Sequence, residues 1–258
     1  TCFPDENFAK YVYEEVLGYS GFDTNHKLTE DDVQAIQNFT GIYASSKNIS
    51  DITGIQNFTK LTRVKINLND IGFIPNNLPS KITYLDLGDN NLSSLPDTLP
   101  PGLTELYLGA NQLQSLPENL PESLTVLWVE INQFKELDLS NLGNLNEVMV
   151  SEQTPQFEYI VTPDGKYKIL DVPTKNLSDI MINGEAYNDY DNSGSITVDT
   201  LPTSFTYNYN TGCNDTMMDI TATLVELTSI SVKNAPRTLY TAGETFDPSG
   251  LVITLHYD

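Results

Sequence analysis

Leu61, Ile82, Leu103, Leu124 and Leu145 each lie 21 residues after the last. The stretch ITYLDLGDNNLSSLPDTLPPG, from Ile82, is followed from Leu103 by LTELYLGANQLQSLPENLPES. A catalytic site needs particular residues once, whereas a period needs the same residues many times. A unit this short cannot bury an apolar face alone, so successive units must stack and share one continuous core. This recurrence constrains the fold more than any other feature of the chain.

Within the period the pattern is L-x-x-L-x-L-x-x-N-x-L-x-x-L-P-x-x-L-P. The copy at Ile82 fills it with Leu85, Leu87, Asn90, Leu92, Leu95, Pro96, Leu99 and Pro100. An earlier copy of 22 residues starts at Phe39 and carries Ile42, Ala44, Ile49, Ile52 and Ile55, with Lys47 in the asparagine position. The copy at Leu145 keeps Val148 and Val150, and the pattern is expected to break at Gln153. This is the period and pattern of the leucine-rich repeat. The expected fold is a mixed α/β solenoid, right-handed, with a parallel concave sheet. Positions 1, 4 and 6 point inward, and strands of successive repeats pair about 4.8 Å apart. The column Asn69, Asn90, Asn111 and Asn132 is placed to bond backbone groups where the chain leaves each strand. So short a unit leaves no room for a returning helix, and its Leu-Pro steps favour an extended, polyproline-like return.

A stack of repeats exposes two apolar ends and needs caps. Residues 1–38 read as the first cap. Phe8, Tyr11, Val12 and Val16 recur at helical spacing, and Thr29 opens a second helix with Glu30, Asp31 and Asp32 in its first turn. Asp23 and Asn25 take the first places of a calcium loop, but Lys27 and Leu28 stand where it wants an oxygen ligand and a glycine. Residues 39–154 hold about six repeats. From residue 155 to 226 the chain reads as strands: FEYIVTPDGKYKIL as a hairpin turning at Pro163-Asp164-Gly165, then SITVD, SFTYNYN and MMDITATL. In DYDNSGSITVD, Asp189, Asp191, Ser193 and Gly194 match calcium-loop places, but the twelfth is Thr200 rather than a bidentate acid. A polar turn is the better reading, and no metal and no cofactor are expected.

Among the 258 residues, 35 acids face 13 bases, a formal charge of −22. That balance argues against nucleic acid and against an anionic membrane surface, both of which attract Lys and Arg. No apolar run approaches the roughly 20 residues of a membrane helix. The chain opens directly on TCFPDENF, and the expectation is an exported protein whose leader has been removed. Cys2 and Cys213 suit neither a disulfide framework nor a zinc site. They are expected at opposite ends of the stack, too far apart to bond.

The segment 227–258 resembles the opening strands of bacterial immunoglobulin-like domains through Ile230, Val232, Pro236, Tyr240, Gly243, Phe246, Asp247, Gly250 and Leu251. The order of helical cap, repeats, β module and immunoglobulin-like start is similar to that of internalin-like surface proteins of Gram-positive bacteria. The Leu-Pro-x-x-Leu-Pro punctuation also resembles short-repeat effectors of Gram-negative pathogens. Some of those carry a ubiquitin-ligase domain with a Cys-x-Asp motif. Cys213-Asn214-Asp215 matches that triplet, but in a β-rich context foreign to that helical domain.

The internalin-like resemblance implies a non-enzymatic, cell-surface adhesion protein, a monomer, whose concave sheet recognises a protein or glycan, host ligands included. The outward columns are Gly41, Arg63, Tyr84, Glu105, Val126, Glu147 and Tyr43, Lys65, Asp86, Tyr107, Trp128, Met149. From these and the adjoining turn the candidate binding residues are Tyr43, Arg63, Lys65, Tyr84, Asp86, Glu105, Tyr107, Trp128 and Glu130. Tyr84, Tyr107 and the single Trp fall near the middle, as binding hot spots do. The same pairs also stabilise a sheet without any ligand. The alternative function is a structural spacer presenting other modules. Catalysis finds no support: His26 and His256 lie far apart, and no nucleophile–base arrangement is evident.

Overall fold

The computed structural model describes residues 2–234 and 252–257. Its centre is a parallel sheet of six three-residue strands in chain order: β1 (Gly41–Tyr43), β2 (Arg63–Lys65), β3 (Tyr84–Asp86), β4 (Glu105–Tyr107), β5 (Val126–Trp128) and β6 (Glu147–Met149). The register joins equivalent positions of neighbouring repeats: Arg63 faces Tyr84, Tyr84 faces Glu105, and Tyr107 faces Trp128. The chain is a leucine-rich-repeat solenoid. Ile42, Val64, Leu85, Leu106 and Leu127 point inward from the strands and are buried. Leu61, Ile82, Leu103, Leu124 and Leu145 form a second buried column, and Ile66, Leu87, Leu108, Val129 and Val150 a third. The return paths at Leu95-Pro96 and Leu116-Pro117 hold neither helix nor strand.

The asparagine column is the internal scaffold. Asn111 Nδ2 donates to the carbonyls of Leu87 (3.1 Å), Leu108 (3.0 Å) and Gly109 (3.4 Å), and its Oδ1 accepts from Leu92 N (2.9 Å). Asn69, Asn90 and Asn132 repeat the arrangement. The expected break at Gln153 does not occur. Gln153 is fully buried; its Nε2 donates to Val129 O (2.9 Å) and Val150 O (2.9 Å), and its Oε1 accepts from Phe134 N (3.2 Å). The ladder therefore continues one repeat further, with one extra methylene in the side chain.

At the N-terminal end, α1 (Glu6–Tyr11) runs on as a π-helical turn, Val12–Val16, and packs with α2 (Glu30–Asn38). Thr29 caps α2 in a full capping box with Asp32. Phe8, Tyr11, Val12 and Ile36 cover the first repeat. Tyr11 Oη accepts from Tyr43 N (2.9 Å), which occupies a donor on the edge strand β1. Asp5 accepts from Ser50 N (2.8 Å) and holds the cap to the first turn of the solenoid.

Beyond the last repeat lies a second sheet. Its strands are β7 (Gln156–Val161), β8 (Tyr167–Leu170), β9 (Leu177–Ile182), β10 (Glu185–Ala186), β11 (Ser195–Val198), β12 (Phe205–Asn210), β13 (Met217–Asn234) and β14 (Val252–Tyr257). The β7–β8 hairpin turns at Gly165, whose positive φ suits glycine. The strands β9 and β10 have no counterpart in the sequence reading. Phe157, Phe205, Tyr207 and Ile220 form the core of this sheet. It is sealed to the solenoid by Tyr207 Oη donating to Lys135 O (2.7 Å), Asn214 Nδ2 donating to Leu145 O (2.8 Å), and a bridge between Gln153 and Ile220. Of the immunoglobulin-like segment, Pro236, Tyr240, Gly243, Phe246, Asp247, Gly250 and Leu251 lie outside the described residues. Ile230 and Val232 lie on β13, which pairs with β14.

Candidate functional site

Because side chains alternate along a strand, the residues flanking each buried central position face outward from the sheet. Parallel in-register pairing places Arg63 beside Tyr84 in one outward column and Tyr107 beside Trp128 in the other, and a diagonal contact from Tyr84 to Tyr107 joins the two pairs into one continuous stack. The Arg63 guanidinium carbon sits 3.9 Å from the Tyr84 ring centroid. The Tyr84 and Tyr107 centroids are 5.3 Å apart, and those of Tyr107 and Trp128 are 5.0 Å apart with planes at 78°. All three rings are half-buried.

The polar tips of Tyr107 and Trp128 are already engaged. Tyr107 Oη donates to Glu105 Oε2 (2.9 Å), and Trp128 Nε1 donates to Glu147 Oε1 (3.0 Å). These bonds fix ring orientation and occupy both ring donors. Burial, then the Glu105 carboxylate, push the Tyr107 phenol well above its ordinary value. Burial also raises Tyr84, with Asp86 adding to it. Both phenols are therefore neutral donors over the physiological range.

The other predicted residues divide. Asp86 faces outward but is 8 % exposed, covered by its neighbours. Its Oδ1 accepts from Gly88 N (3.2 Å), and Lys65 Nζ lies 3.8 Å from its Oδ2. Burial raises its pKa, while the Gly88 N–H and Lys65 pull it back. Tyr43 stands apart from the stack: it is 57 % exposed, and its ring folds back over Gly41. Glu130 lies across Gly109, so closely that a Cβ there would clash with its Oε1. Its Oε2 is buried without a hydrogen bond. Burial raises the Glu130 pKa, its own backbone N–H pulls it back, and Asp89 and Glu152 raise it further. Glu147, placed by the sequence in an outward column but not among the candidate binding residues, is the acceptor that orients Trp128. The signal was its place one strand beyond Trp128 in the adjoining column.

Each apparent calcium loop contains a local turn closed by its own acid. Asp23 Oδ1 accepts from Asn25 N (2.8 Å) and Asp191 Oδ1 from Ser193 N (3.0 Å), each within its own turn. Among the described residues no group of three or more His, Cys, Asp or Glu is arranged to hold a metal ion. Likewise among the described residues, no helix is long and apolar enough to cross a membrane. Cys213 is buried, which raises its thiol pKa, and Asn214 and Asp215 continue the chain in left-handed turn conformations.

The FNIP Repeat family model matches residues 69–111, the two repeats around Asn90. The search of curated proteins finds no match. Among solved structures, the functional domain of InlJ from Listeria monocytogenes is similar over 77 % of this chain and 51 % of its own, at 18 % identity and a TM-score of 0.51. The internalin inlF of the same organism matches over 60 % of this chain and 52 % of its own, at 20 % identity and a TM-score of 0.45. A secreted internalin-like protein of that species matches over 86 % of this chain and 96 % of its own, at 20 % identity and a TM-score of 0.48. The chain spans about half the length of the first two. The InlJ likeness shows a shared leucine-rich-repeat fold, built in this chain on an amide ladder.

Proposed function

We propose that this chain is a non-enzymatic binding module, exported and acting at the bacterial cell surface, whose concave sheet recognises a protein or glycan. The observation that carries this reading is the stack Arg63–Tyr84–Tyr107–Trp128. Aromatic rings and Arg clustered near the centre of a surface are the residue types that dominate binding energy. The Tyr107 and Trp128 tips are hydrogen-bonded within the chain, so these two rings are pre-organised at little further entropy cost. The internalin-like architecture, organised as a 1–38 cap, 39–154 repeats and later β modules, fits a surface role. The test is a glycan array beside a host-protein pull-down, run with the wild type and Trp128→Ala. Capture by the wild type and its loss in a folded Trp128→Ala variant supports the reading; capture that survives the substitution refutes it.

The alternative, a spacer, draws on the 18-residue strand β13. It pairs with β12 and β7 in the module and then with β14. Such a strand transmits load from the solenoid end into the following segment. Under this reading the concave face binds nothing, and neither assay yields a partner.

A further inference from the structure

We propose that the concave face takes a cation: an Arg or Lys side chain, carried on an extended basic segment of a partner protein, seats in the corner between Tyr107 and Trp128. This rests on the reading that the concave sheet is the ligand face and names the chemistry it selects.

Three observations lead there. The first is the supply of hydrogen-bonding groups. The outward residues of β3 to β6 are Tyr84, Asp86, Glu105, Tyr107, Val126, Trp128, Glu147 and Met149, with no Lys or Arg among them. The Trp128 N–H and the Tyr107 O–H already donate to carboxylates. The surface thus offers acceptors and negative charge, and its ligand must bring donors and positive charge.

The second is ring geometry. Planes at 78° and a 5.0 Å separation make an edge-to-face pair, in which the edge of one ring meets the face of the other and the two planes bound a corner. Glu105 and Glu147 flank that corner through their hydrogen bonds to the ring tips. Cations are drawn to such faces by the ring quadrupole, most strongly to Trp. Donation from each ring to a carboxylate increases its electron density and strengthens the attraction.

The third lies within the chain. Arg63 already stacks on Tyr84 at 3.9 Å, at the N-terminal end of the same ladder. This surface therefore holds a guanidinium over a ring where the chain supplies one. The next two rings have no such partner from the chain's own outward columns, since β4 to β6 supply no basic residue. The four strands β3–β6 span about 14 Å, and an extended segment repeats same-face side chains about every 6.7 Å, so two to three cations fit across the face.

Trp128 is the only Trp, so its fluorescence reports on the corner directly. The assay titrates the full chain with an alternating Arg-Ser dodecapeptide. Glu-Ser and Gln-Ser peptides of equal length, argininamide and a neutral hexasaccharide serve as comparison arms. The expected result is a saturable change with the Arg-Ser peptide alone, at least tenfold weaker at 300 mM than at 50 mM NaCl. Calorimetry should then find Trp128→Ala and Glu147→Gln at least tenfold weaker and Trp128→Phe only a few-fold weaker. Asp31→Asn, an equal charge change at an exposed cap position, should leave affinity unaltered. Loss of affinity by Asp31→Asn equal to that of Glu147→Gln would mean diffuse charge attraction and overturn the proposal. So would no response to the Arg-Ser peptide, or equal binding of the neutral peptide. Argininamide binding as tightly as the peptide would overturn the extended-segment part. A response to the hexasaccharide alone would overturn the cation and leave the concave-face reading standing. Failure of the array and pull-down, with the peptide result intact, would do the reverse.

Discussion

Replacing Asn111 by Ala removes four hydrogen bonds, yet their loss is not equally felt. Leu87 O also accepts from Asn90 Nδ2 (3.0 Å), and Leu108 O also accepts from Asn132 Nδ2 (3.0 Å). Gly109 O keeps the Asp89 N–H (2.8 Å). The donor left without a partner is Leu92 N–H, on a fully buried residue. One orphaned buried donor costs about 1–3 kcal/mol. With a urea m-value of about 2–3 kcal/mol/M, the midpoint falls by about 0.3–1.5 M at unchanged m.

The sharing of carbonyls makes a stricter forecast. In the double variant Asn90→Ala/Asn111→Ala, Leu87 O loses both amide donors. The cost should exceed the sum of the single variants by about 1 kcal/mol. Asn69 and Asn111 share no carbonyl: Asn69 Nδ2 reaches Ala44, Ile66 and Asn67. That double variant should be additive. Urea melts followed by circular dichroism measure all five variants. A wild-type midpoint for Asn111→Ala, or equal coupling in the two pairs, refutes the ladder as described.

Leu106→Ala, at a fully buried position, should cost about 2–5 kcal/mol, while Tyr107→Ala on the outward face should cost less than half as much; thermal melts in reversed order would put the inside–outside assignment wrong by one residue. Asp32 is held at a pKa of about 2, well below its ordinary 3.8, chiefly by the Thr29 backbone N–H. Its lowered folded-state pKa gives stability that is fully present above about pH 4 and lost as pH falls through about 2. The Tm difference between wild type and Asp32→Asn should therefore shrink over that window, and a constant difference would refute the linkage. Glu130 has a raised folded-state pKa, so its ionisation opposes folding above that value and not below the unfolded one. Glu130→Gln should raise the Tm at pH 7 and leave it unchanged near pH 3; no gain at pH 7 would show the carboxylate to be well solvated.

The fold was legible because its information is columnar. A period places Leu106 inside and Tyr107 outside without knowledge of any other element, and Trp128 follows one strand on. What escaped the reading is what one column does to another. Asp86 belongs to an outward column but is buried, with Lys65 of the preceding repeat 3.8 Å from its carboxylate. Tyr107 and Trp128 were legible as neighbours, whereas their orientation depends on Glu105 and Glu147, chosen by side-chain torsions. Gln153 looked like a break because the pattern was read by residue name. Read by chemistry, a carboxamide at that place suffices, and its longer arm still reaches Val129 O and Val150 O.

The residue before each amide carries the same lesson. Leu68, Asp89, Ala110, Ile131 and Glu152 all have φ between 51° and 59°, a conformation that favours glycine. No glycine stands at any of the five, so the sequence hides this turn completely. The strain is tolerated because neighbours hold it: Asp89 N donates to Gly109 O (2.8 Å), Ala110 N to Glu130 O (2.9 Å) and Ile131 N to Ser151 O (3.0 Å). The left-handed residue turns the chain so that the next side chain points under the strand, where Asn90, Asn111 and Asn132 gather carbonyls from two repeats at once. Turn and ladder are thus one device, each holding the other in place, and only the half with a recurring side chain leaves a mark in the sequence.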